Sequence, residues 1–317
     1  MAKKFDLAND RSSLHGIVPP ILTPMNQDET VDAASMKKLV DFMIVNGVHG
    51  LWVMGTTGEF ASFDERERGI AVEAAVEATN GRVPVVANVG DCSTRLAIRH
   101  AKVAQAAGVD ALAATPPYYF LNSQDELLAH FREIRAQVDL PLLLYNIPQT
   151  VKVKTAVGTA LTLGEEGTII GLKDSQNDLD WFRQVTVGAK ARGIDLRCFL
   201  GTRYLIDAGQ VIGGHGSIPS LANVAPAACV AVYEAARRGD WAEAARHQER
   251  LMSLERITQV PQGGCFNAQI MGAMKTILMQ NGIVATNVLG SPLRTLTVAE
   301  AEKLAQVAAE LELGKGS

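Results

Sequence analysis

The sequence predicts an α/β protein, specifically a (β/α)8 TIM barrel with a C-terminal helical extension. Short apolar or β-branched runs alternate with amphipathic stretches rich in Ala, Glu, Arg and Leu, which is the pattern of repeated strand–helix units. Eight strand candidates begin near Gly16, Gly50, Val83, Ala111, Leu140, Thr168, Asp195 and Gly213. Successive starts lie 27 to 34 residues apart, except for a last step of 18. Eight such units in series are typical of a closed barrel.

An open, doubly wound sheet is the main alternative to the barrel. Such a sheet normally carries Gly-x-Gly-x-x-Gly at its first strand–helix turn, where a dinucleotide binds. The first strand here ends instead in Leu22-Thr-Pro-Met25, and the glycine cluster Gly213-Gly-His-Gly216 opens a late strand. The absence of the dinucleotide fingerprint favours the barrel.

Helix boundaries support the same organisation. N-cap residues precede four of the amphipathic stretches, at Asp32, Asp64, Ser93 and Asp178. Beyond the eighth strand, the pattern predicts helices near residues 222–237, 241–257, 266–281 and 298–311. We therefore divide the chain into an N-terminal arm (1–14), the barrel (15–238) and the C-terminal helical extension (239–317).

Composition excludes several classes of partner. The chain has 317 residues, of which 47% are hydrophobic and 20% are charged, as expected of a globular protein with a large core. The net charge of -4 provides no basic field for nucleic acid. The sequence contains neither a Cys-x-x-Cys motif nor a Cys/His cluster, so it indicates neither a zinc site nor a disulfide framework. Because no apolar leader or 18-residue apolar run is present, we expect a cytoplasmic protein without membrane contact.

The most informative residue is Lys173, which ends an apolar run that begins at Thr168 and indicates a buried strand. Burial disfavours the charged ammonium form, and a neutral lysine amine can attack a ketone to form a Schiff base. Alternatively, Lys173 marks the solvent end of its strand and pairs with Asp174. The residues at neighbouring strand ends bear on this choice.

Hydroxyl groups follow two other predicted strands. The second strand leads into Gly55-Thr-Thr-Gly-Glu59, a turn whose backbone N–H groups and hydroxyls at Thr56 and Thr57 can bind a carboxylate. The fifth strand ends at Tyr145, 28 residues before Lys173, which places the phenol on the adjacent strand at the same level. Each feature alone also fits a structural role, as a capped turn or a packed tyrosine.

Together these groups fit one reaction class, carbon–carbon bond chemistry on a 2-oxo acid through an imine. In this interpretation Lys173 forms the Schiff base, Tyr145 shuttles protons and the two threonines hold the substrate carboxylate. The covalent imine is the electron sink, so we expect no metal and no organic cofactor.

The chain resembles the family of dihydrodipicolinate synthases and N-acetylneuraminate lyases, which are pyruvate-dependent class I aldolases. The resemblance covers nearly the whole chain and rests on these segments: Gly55-Thr-Thr-Gly-Glu59, Thr115-Pro-Pro-Tyr-Tyr119, Tyr145-Asn-Ile-Pro148, Gly171-Leu-Lys173, Gly201 and Gly214-His-Gly-Ser-Ile218. It implies that Lys173 is the imine lysine and Tyr145 the general acid/base. It also implies that Thr56 relays protons and that Gly55 and Thr57 bind the substrate carboxylate.

The resemblance further implies an oligomer and a pocket. Tyr119 matches a tyrosine that crosses to a neighbouring subunit's site in the family, which implies a homodimer or a homotetramer. Gly201, Ile218 and Ser220 match positions that line the substrate pocket. The implied small-molecule partner is pyruvate.

Two departures weaken assignment to either founding activity. In the lysine-pathway synthases, the position five residues after the catalytic tyrosine is an arginine that binds the aldehyde's carboxylate, and here it is Thr150. Neuraminate lyases carry an acidic pair shortly after the glycine that matches Gly201, whereas this chain has Arg203 and Tyr204. What remains resembles the sugar-acid branch, whose aldolases release pyruvate from 2-keto-3-deoxy aldonic acids and whose dehydratases remove water from related substrates.

Arg203 is the candidate specificity residue. A guanidinium after the seventh strand can bind a distal carboxylate in bidentate fashion, which makes a dicarboxylate such as 4-hydroxy-2-oxoglutarate a candidate substrate. An exposed arginine on a short helix is an equally open interpretation.

We therefore expect a class I aldolase that forms or cleaves a carbon–carbon bond between pyruvate and an aldehyde. The expected substrate is a 2-keto-3-deoxy sugar acid or a 4-hydroxy-2-oxo acid. Three alternatives stay open: a 4-hydroxy-tetrahydrodipicolinate synthase that condenses pyruvate with aspartate semialdehyde, a sugar-acid dehydratase that uses the same imine, and a non-catalytic 2-oxo acid binding protein.

Overall fold

A closed parallel barrel occupies the centre of the computed structural model, which describes residues 5–313. The eight strands in these residues are hydrogen-bonded in the order β1-β8-β7-β6-β5-β4-β3-β2, and a parallel bridge between Pro20 and Trp52 joins the two ends of the sheet. The strands are β1 (Gly16–Ile17), β2 (Leu51–Val53), β3 (Val85–Asn88), β4 (Ala111–Ala114), β5 (Leu142–Asn146), β6 (Gly171–Asp174), β7 (Arg197–Leu200) and β8 (Gly216–Ser217). The predicted barrel is confirmed.

Helices follow the strands and continue beyond the barrel. They are α1 (Ala33–Val45), α2 (Glu65–Thr79), α3 (Thr94–Ala107), α4 (Gln124–Gln137), α5 (Pro148–Val151), α6 (Val157–Glu165), α7 (Leu179–Ala191), α8 (Ile206–Val211), α9 (Pro226–Arg237), α10 (Trp241–Ser253), α11 (Phe266–Gln280) and α12 (Val298–Glu310). The four predicted N-caps are confirmed, because each side chain accepts a hydrogen bond from the first turn of its helix: Asp32, Asp64, Ser93 and Asp178. No helix in the described range is long and apolar enough to cross a membrane.

The C-terminal helical extension is present as predicted, with one change. The pattern predicts a single helix over residues 241–257, but α10 ends at Ser253 and a 3-10 helix continues over Leu254–Gln259. The tighter 3-10 turn redirects the chain between α10 and α11. This 3-10 helix carries Glu255, which forms an ion pair with Arg203. The last four residues of the predicted extension, 314–317, lie outside the described residues.

Two apolar layers hold the barrel. The larger layer packs the outer faces of the strands against the helices, and a second cluster fills the barrel interior. Leu7 and Leu14 belong to the interior cluster and are buried. Arg197, at the start of β7, donates a hydrogen bond to the carbonyl of Arg11. Residues 5–14 of the predicted arm thus pack near the end where the strands begin, and residues 1–4 lie outside the described range.

Strand register determines which side chains meet inside the barrel. Tyr145 on β5 is the register partner of Lys173 on β6, and Lys173 is in turn the partner of Phe199 on β7. Register partners in parallel strands point to the same face of a sheet. The phenol and the amine are therefore neighbours at one level, as their spacing of 28 residues predicts.

Candidate active site

The amine of Lys173 is enclosed by aromatic rings inside the barrel. The residue is only 3% exposed, and its Nζ lies 4.3 Å from the ring centre of Tyr145 and 5.1 Å from that of Trp52. Burial lowers the pKa of Lys173 below its ordinary value, and the interaction with Tyr145 offsets this only in part. A lysine in this position has a large neutral fraction compared with a surface lysine, and only the neutral form is nucleophilic.

Asp174 is hydrogen-bonded to Asn146, whereas the alternative interpretation predicts that it pairs with Lys173. Its Oδ1 accepts a hydrogen bond of 2.7 Å from Nδ2 of Asn146, and the residue is buried. Burial raises the pKa of Asp174 to about 7. Since Lys173 is itself buried, it does not mark a solvent-exposed strand end.

Tyr145 connects the lysine to the predicted threonine turn. Its hydroxyl lies 3.2 Å from Oγ1 of Thr56, and either atom can donate. Trp52 packs edge-on against the Tyr145 ring, with ring centres 5.5 Å apart. Gly55 lies against the same indole, since a Cβ added there would stand 3.0 Å from it. A chain of polar groups thus runs from the amine through the phenol to the hydroxyl.

The threonine turn is anchored from a distant part of the chain. Glu59 adopts a left-handed conformation with φ of 54°, and its Oε1 accepts a 2.6 Å hydrogen bond from Nζ of Lys275 on α11. The second carboxylate oxygen accepts from the backbone N–H of Gly290 at 2.9 Å. Both charged side chains are 1% exposed. This buried pair ties the turn that carries Thr56 to the C-terminal extension.

A cavity of about 180 Å³ opens beside Lys173 and contains most of the predicted substrate-binding residues. Those that line it are Thr56, Thr57, Tyr145, Gly201, Arg203, Ile218 and Ser220. Tyr204, which the sequence analysis names beside Arg203, also lines the cavity, and the sequence does not indicate its other polar members, Gln149, Ser175, Asn177, Thr202 and Asn267. The cavity therefore has one reactive amine and a wall made largely of neutral hydrogen-bonding groups.

Gly201 is required by the position of the lysine. A Cβ added at Gly201 would stand 3.0 Å from Cε of Lys173 and would collide with Oγ of Ser175. The backbone N–H of Gly201 donates to the carbonyl of Asp174 at 2.6 Å, which joins the ends of β6 and β7. Absence of a side chain at this position leaves room for the lysine stem.

Arg203 lines the cavity, but its guanidinium already has a partner. It forms a bidentate ion pair with Glu255, in which Nη2 lies 2.7 Å from Oε2 and Nε contacts Oε1. Nη2 also donates to the hydroxyl of Tyr204 at 2.7 Å. The structure thus places Arg203 in the pocket, as its position after the seventh strand predicts, in a paired state that the sequence does not indicate.

Tyr119 is the one predicted catalytic residue that the described chain does not bring to the cavity. It is 85% exposed, beside the exposed side chains of Phe120 and Leu121. Its φ of 86° is uncommon for a bulky residue. Within a single chain, Tyr119 therefore does not line the cavity beside Lys173, and its predicted crossing to a neighbouring subunit stays a prediction.

A second cavity of about 260 Å³ adjoins the first, because Thr56 and Met271 line both. Thr150, which stands where the lysine-pathway synthases carry arginine, lines this second cavity together with Tyr118. The hydroxyl of Tyr118 donates to Asp91 at 3.2 Å, and burial raises the pKa of Tyr118 to about 12. The second cavity therefore presents a neutral threonine and a neutral phenol.

The fold and the enclosed amine together define a barrel enzyme that acts on carbonyl compounds. The model of the dihydrodipicolinate synthetase family matches residues 13–311. The chain therefore belongs to this family. Its members are pyruvate-dependent lyases, and the protein is accordingly a carbon–carbon lyase.

Relatives with different named activities have similar sequence identity to this chain. A 4-hydroxy-tetrahydrodipicolinate synthase of Phenylobacterium zucineum is 36% identical over 76% of this chain and 81% of its own. A protein of Escherichia coli K12, named as a probable 2-dehydro-3-deoxy-D-pentonate aldolase, is 35% identical over 76% and 81%. Among solved structures, the E. coli K12 prophage protein YagE in complex with pyruvate has a TM-score of 0.86 at 27% identity, over 94% of this chain and 99% of that one.

Proposed function

We propose that the protein is a class I aldolase that releases pyruvate from a 2-keto-3-deoxy sugar acid or a related 4-hydroxy-2-oxo acid through an imine on Lys173. One observation carries this proposal: the buried Nζ of Lys173 faces the ring of Tyr145, whose hydroxyl lies within hydrogen-bonding distance of Thr56. A neutral amine, a proton shuttle and a hydroxyl relay are the groups that imine chemistry needs.

The first stage is imine formation. The substrate carboxylate binds at the turn of Thr56 and Thr57, which places its C2 carbonyl beside Lys173. The amine attacks C2, and Tyr145 transfers protons so that the carbinolamine oxygen leaves as water. The product is a protonated imine between C2 and Nζ.

The second stage is bond cleavage. Tyr145 accepts the proton of the C4 hydroxyl, the C3–C4 bond breaks, and C4 leaves as an aldehyde. The bonding electrons move to C3 and give an enamine, because the protonated imine is the electron sink. Protonation of C3 and hydrolysis of the imine then release pyruvate and restore the free lysine.

Two comparisons support this proposal. One relative is named as a probable pentonate aldolase. A structural relative was solved in complex with pyruvate, which fits the aldolase and the synthase alike. Thr150 supplies a hydroxyl where a synthase needs a cation for the carboxylate of its aldehyde. Condensation of pyruvate with aspartate semialdehyde stays as the second candidate, because a relative at 36% identity is named as the synthase.

A substrate panel combined with borohydride trapping tests the proposal. We expect one pyruvate adduct per chain after reduction, and pyruvate release from 2-keto-3-deoxypentonate that exceeds any turnover of pyruvate with aspartate semialdehyde. Preferred synthase turnover would favour the second candidate, and loss of water without pyruvate release would indicate a dehydratase. Absence of an adduct would leave only a binding protein.

We also propose that the enzyme works as a homodimer or homotetramer in which Tyr119 reaches a neighbouring active site. The exposed group of Tyr119, Phe120 and Leu121 supports this proposal, since contiguous exposed apolar side chains mark interaction surfaces. The left-handed backbone at Tyr119 supports it as well, because such strain persists where the surroundings or a function require it.

A further inference from the structure

The wall of the cavity beyond β7 contains an ion pair that the proposed reaction does not use. Arg203 and Tyr204 follow β7, and both contact Glu255 in the 3-10 helix Leu254–Gln259. The hydroxyl of Tyr204 donates to Oε2 of Glu255 at 2.9 Å, and the same oxygen accepts from Arg203 at 2.7 Å. The side chains of Arg203 and Glu255 are 11% and 16% exposed. The group is therefore an enclosed, charge-balanced unit.

Glu255 is ionised in this unit. Burial acts to raise the pKa of Glu255, but hydrogen bonds and charge from Arg203, with a further hydrogen bond from Tyr204, outweigh it and lower the pKa. The carboxylate therefore neutralises the guanidinium at neutral pH. Arg203 retains donor capacity, since a guanidinium has five N–H groups.

The backbone on which Arg203 stands is also fixed from the C-terminal extension. Gln248 on α10 is buried, and its Nε2 donates to the carbonyl of Arg203 at 2.8 Å. Its Oε1 accepts from the backbone N–H of Ile206 at 3.0 Å. Both ends of this loop segment are held, so the backbone that carries Arg203 is fixed beside Glu255.

The charge balance of the cavity limits what can bind beyond C4. Among the described residues that line it, Lys173 and Arg203 are the only cationic side chains. Lys173 becomes the protonated imine at C2, whose charge lies beside the first carboxylate, and Arg203 is neutralised by Glu255. A second substrate carboxylate would meet no unpaired cation and would approach the negative charge of Glu255. A hydroxylated chain would instead find amides and hydroxyls of both donor and acceptor type.

We propose that Glu255 is a specificity-determining residue, which neutralises Arg203 so that the enzyme selects 2-keto-3-deoxy acids with an uncharged, hydroxylated tail and rejects dicarboxylates. This inference rests on the proposed aldolase function. The carboxylate of Glu255 occupies the guanidinium that would otherwise bind a substrate carboxylate. Its negative charge also repels a second substrate carboxylate, so the enzyme discriminates against dicarboxylates. The carbonyl chemistry at Lys173 is the same for both kinds of substrate.

Glu255→Gln tests the inference, because the change keeps the side-chain shape and removes only the charge. We measure kcat/KM for 4-hydroxy-2-oxoglutarate and for 2-keto-3-deoxypentonate. Their ratio should rise about tenfold in favour of the dicarboxylate, mainly through a lower KM, since one freed guanidinium becomes available. The double variant Arg203→Ala/Glu255→Gln should lose this gain.

Glu300→Gln is the matched control. Glu300 also forms a bidentate pair with an arginine, Arg294, and its side chain is similarly enclosed at 11% exposure. The pair lies outside the cavity lining, so its loss should leave the substrate ratio within about twofold of wild type, as for sites without shared partners.

The wild-type enzyme supplies a measurement that does not depend on folding of a variant. It should process the dicarboxylate with a kcat/KM about tenfold or more below that of 2-keto-3-deoxypentonate. Two results would overturn the role of Glu255 and leave the aldolase proposal intact. One is equal use of both substrates by wild type, and the other is an unchanged ratio in a Glu255→Gln protein that still gives a pyruvate adduct. Failure of wild type to give any adduct would overturn the aldolase proposal as well.

Discussion

Lys173 and Lys275 are both buried lysines, yet their surroundings give them opposite chemistry. Lys275 lies 2.6 Å from the carboxylate of Glu59, which keeps a charged partner against its ammonium. Lys173 faces the rings of Tyr145 and Trp52. Burial lowers the pKa of both amines, but only at Lys275 does a carboxylate oppose this effect. Lys275 thus holds the structure, and under the proposed function Lys173 is the nucleophile.

The first prediction concerns the pH dependence of stability at Lys173. Its folded pKa lies below its ordinary value of 10.5, so at lower pH the unfolded chain binds a proton that the folded state resists. Lys173→Met removes this cost and should unfold at higher urea than wild type at pH 7. The advantage should shrink as pH rises toward 10.5, and Lys37→Met, at a half-exposed lysine, is the matched control. A variant advantage that does not change with pH would contradict a neutral buried amine.

The second prediction concerns the phenol of Tyr145. Tyr145→Phe keeps the ring over Lys173 but removes the proton shuttle, so kcat should fall by about 10² to 10⁴-fold. Borohydride should still trap the imine, because the amine remains. Tyr233→Phe is the control, since Tyr233 contacts His15 near the opposite end of the barrel. Loss of activity by less than about threefold in Tyr145→Phe would assign proton transfer to another group.

Single residues differ in how far the sequence predicts their position. Lys173 and Tyr145 end apolar runs, and the length of one strand–helix unit separates them, so their register pairing follows from the barrel. Trp52 lies in a predicted strand, but its neighbours Leu51 and Val53 are also apolar and buried, so no alternation marks Trp52 as the inward-facing residue. Glu255 gave no signal, because its partner Arg203 lies 52 residues away along the chain.

At the scale of elements, the barrel strands supply the reactive groups and the C-terminal helices hold the loops that carry specificity. α11 provides Lys275 for the turn after β2, and α10 provides Gln248 for the segment after β7. The extension is therefore part of the site. Its helices are predictable from their periodicity, but their contacts with the barrel are not, since no local pattern relates Glu59 to Lys275, 216 residues away.

The third prediction concerns the buried ion pair between Lys275 and Glu59. Lys275→Met would leave the carboxylate of Glu59 buried without its cation, which typically costs about 3 to 5 kcal/mol of unfolding free energy. The KM for the 2-oxo acid should rise too, because the turn of Thr56 and Thr57 loses its anchor. Lys37→Met, which breaks an exposed pair, should change stability by no more than about 0.5 kcal/mol. Urea unfolding and initial-rate kinetics measure both effects, and an unchanged midpoint in Lys275→Met would contradict the anchoring role.

Strand boundaries show a limit of prediction at this scale. The predicted strand at Thr168 begins three residues before β6 begins at Gly171, and the one at Leu140 two residues before β5. Ile169 is buried, although its backbone N–H donates to the carbonyl of Leu163 and not to a neighbouring strand. Hydrophobicity reports burial, whereas a strand is defined by hydrogen bonds to its neighbours, so the apolar run exceeds the strand.

At the scale of the whole molecule, the two ends of the barrel have different tasks. The end where the strands begin is packed with apolar side chains that include Leu7 and Leu14, whereas the other end opens into the cavity beside Lys173. This polarity is general for the fold and is predictable from it. The choice of substrate is not predictable in the same way, because on our proposal it depends on a pairing between Arg203 and Glu255 that forms only when the C-terminal extension packs on the barrel.

The most direct test of the central claim is to map the site of the reduced pyruvate adduct. Wild-type protein is incubated with pyruvate and borohydride, digested, and analysed by mass spectrometry of its peptides. We expect one adduct, on the peptide that contains Lys173, with none on the buried and ion-paired Lys275, which serves as an internal control in the same sample. An unmodified Lys173 peptide, or an adduct on Lys275 instead, would contradict the account.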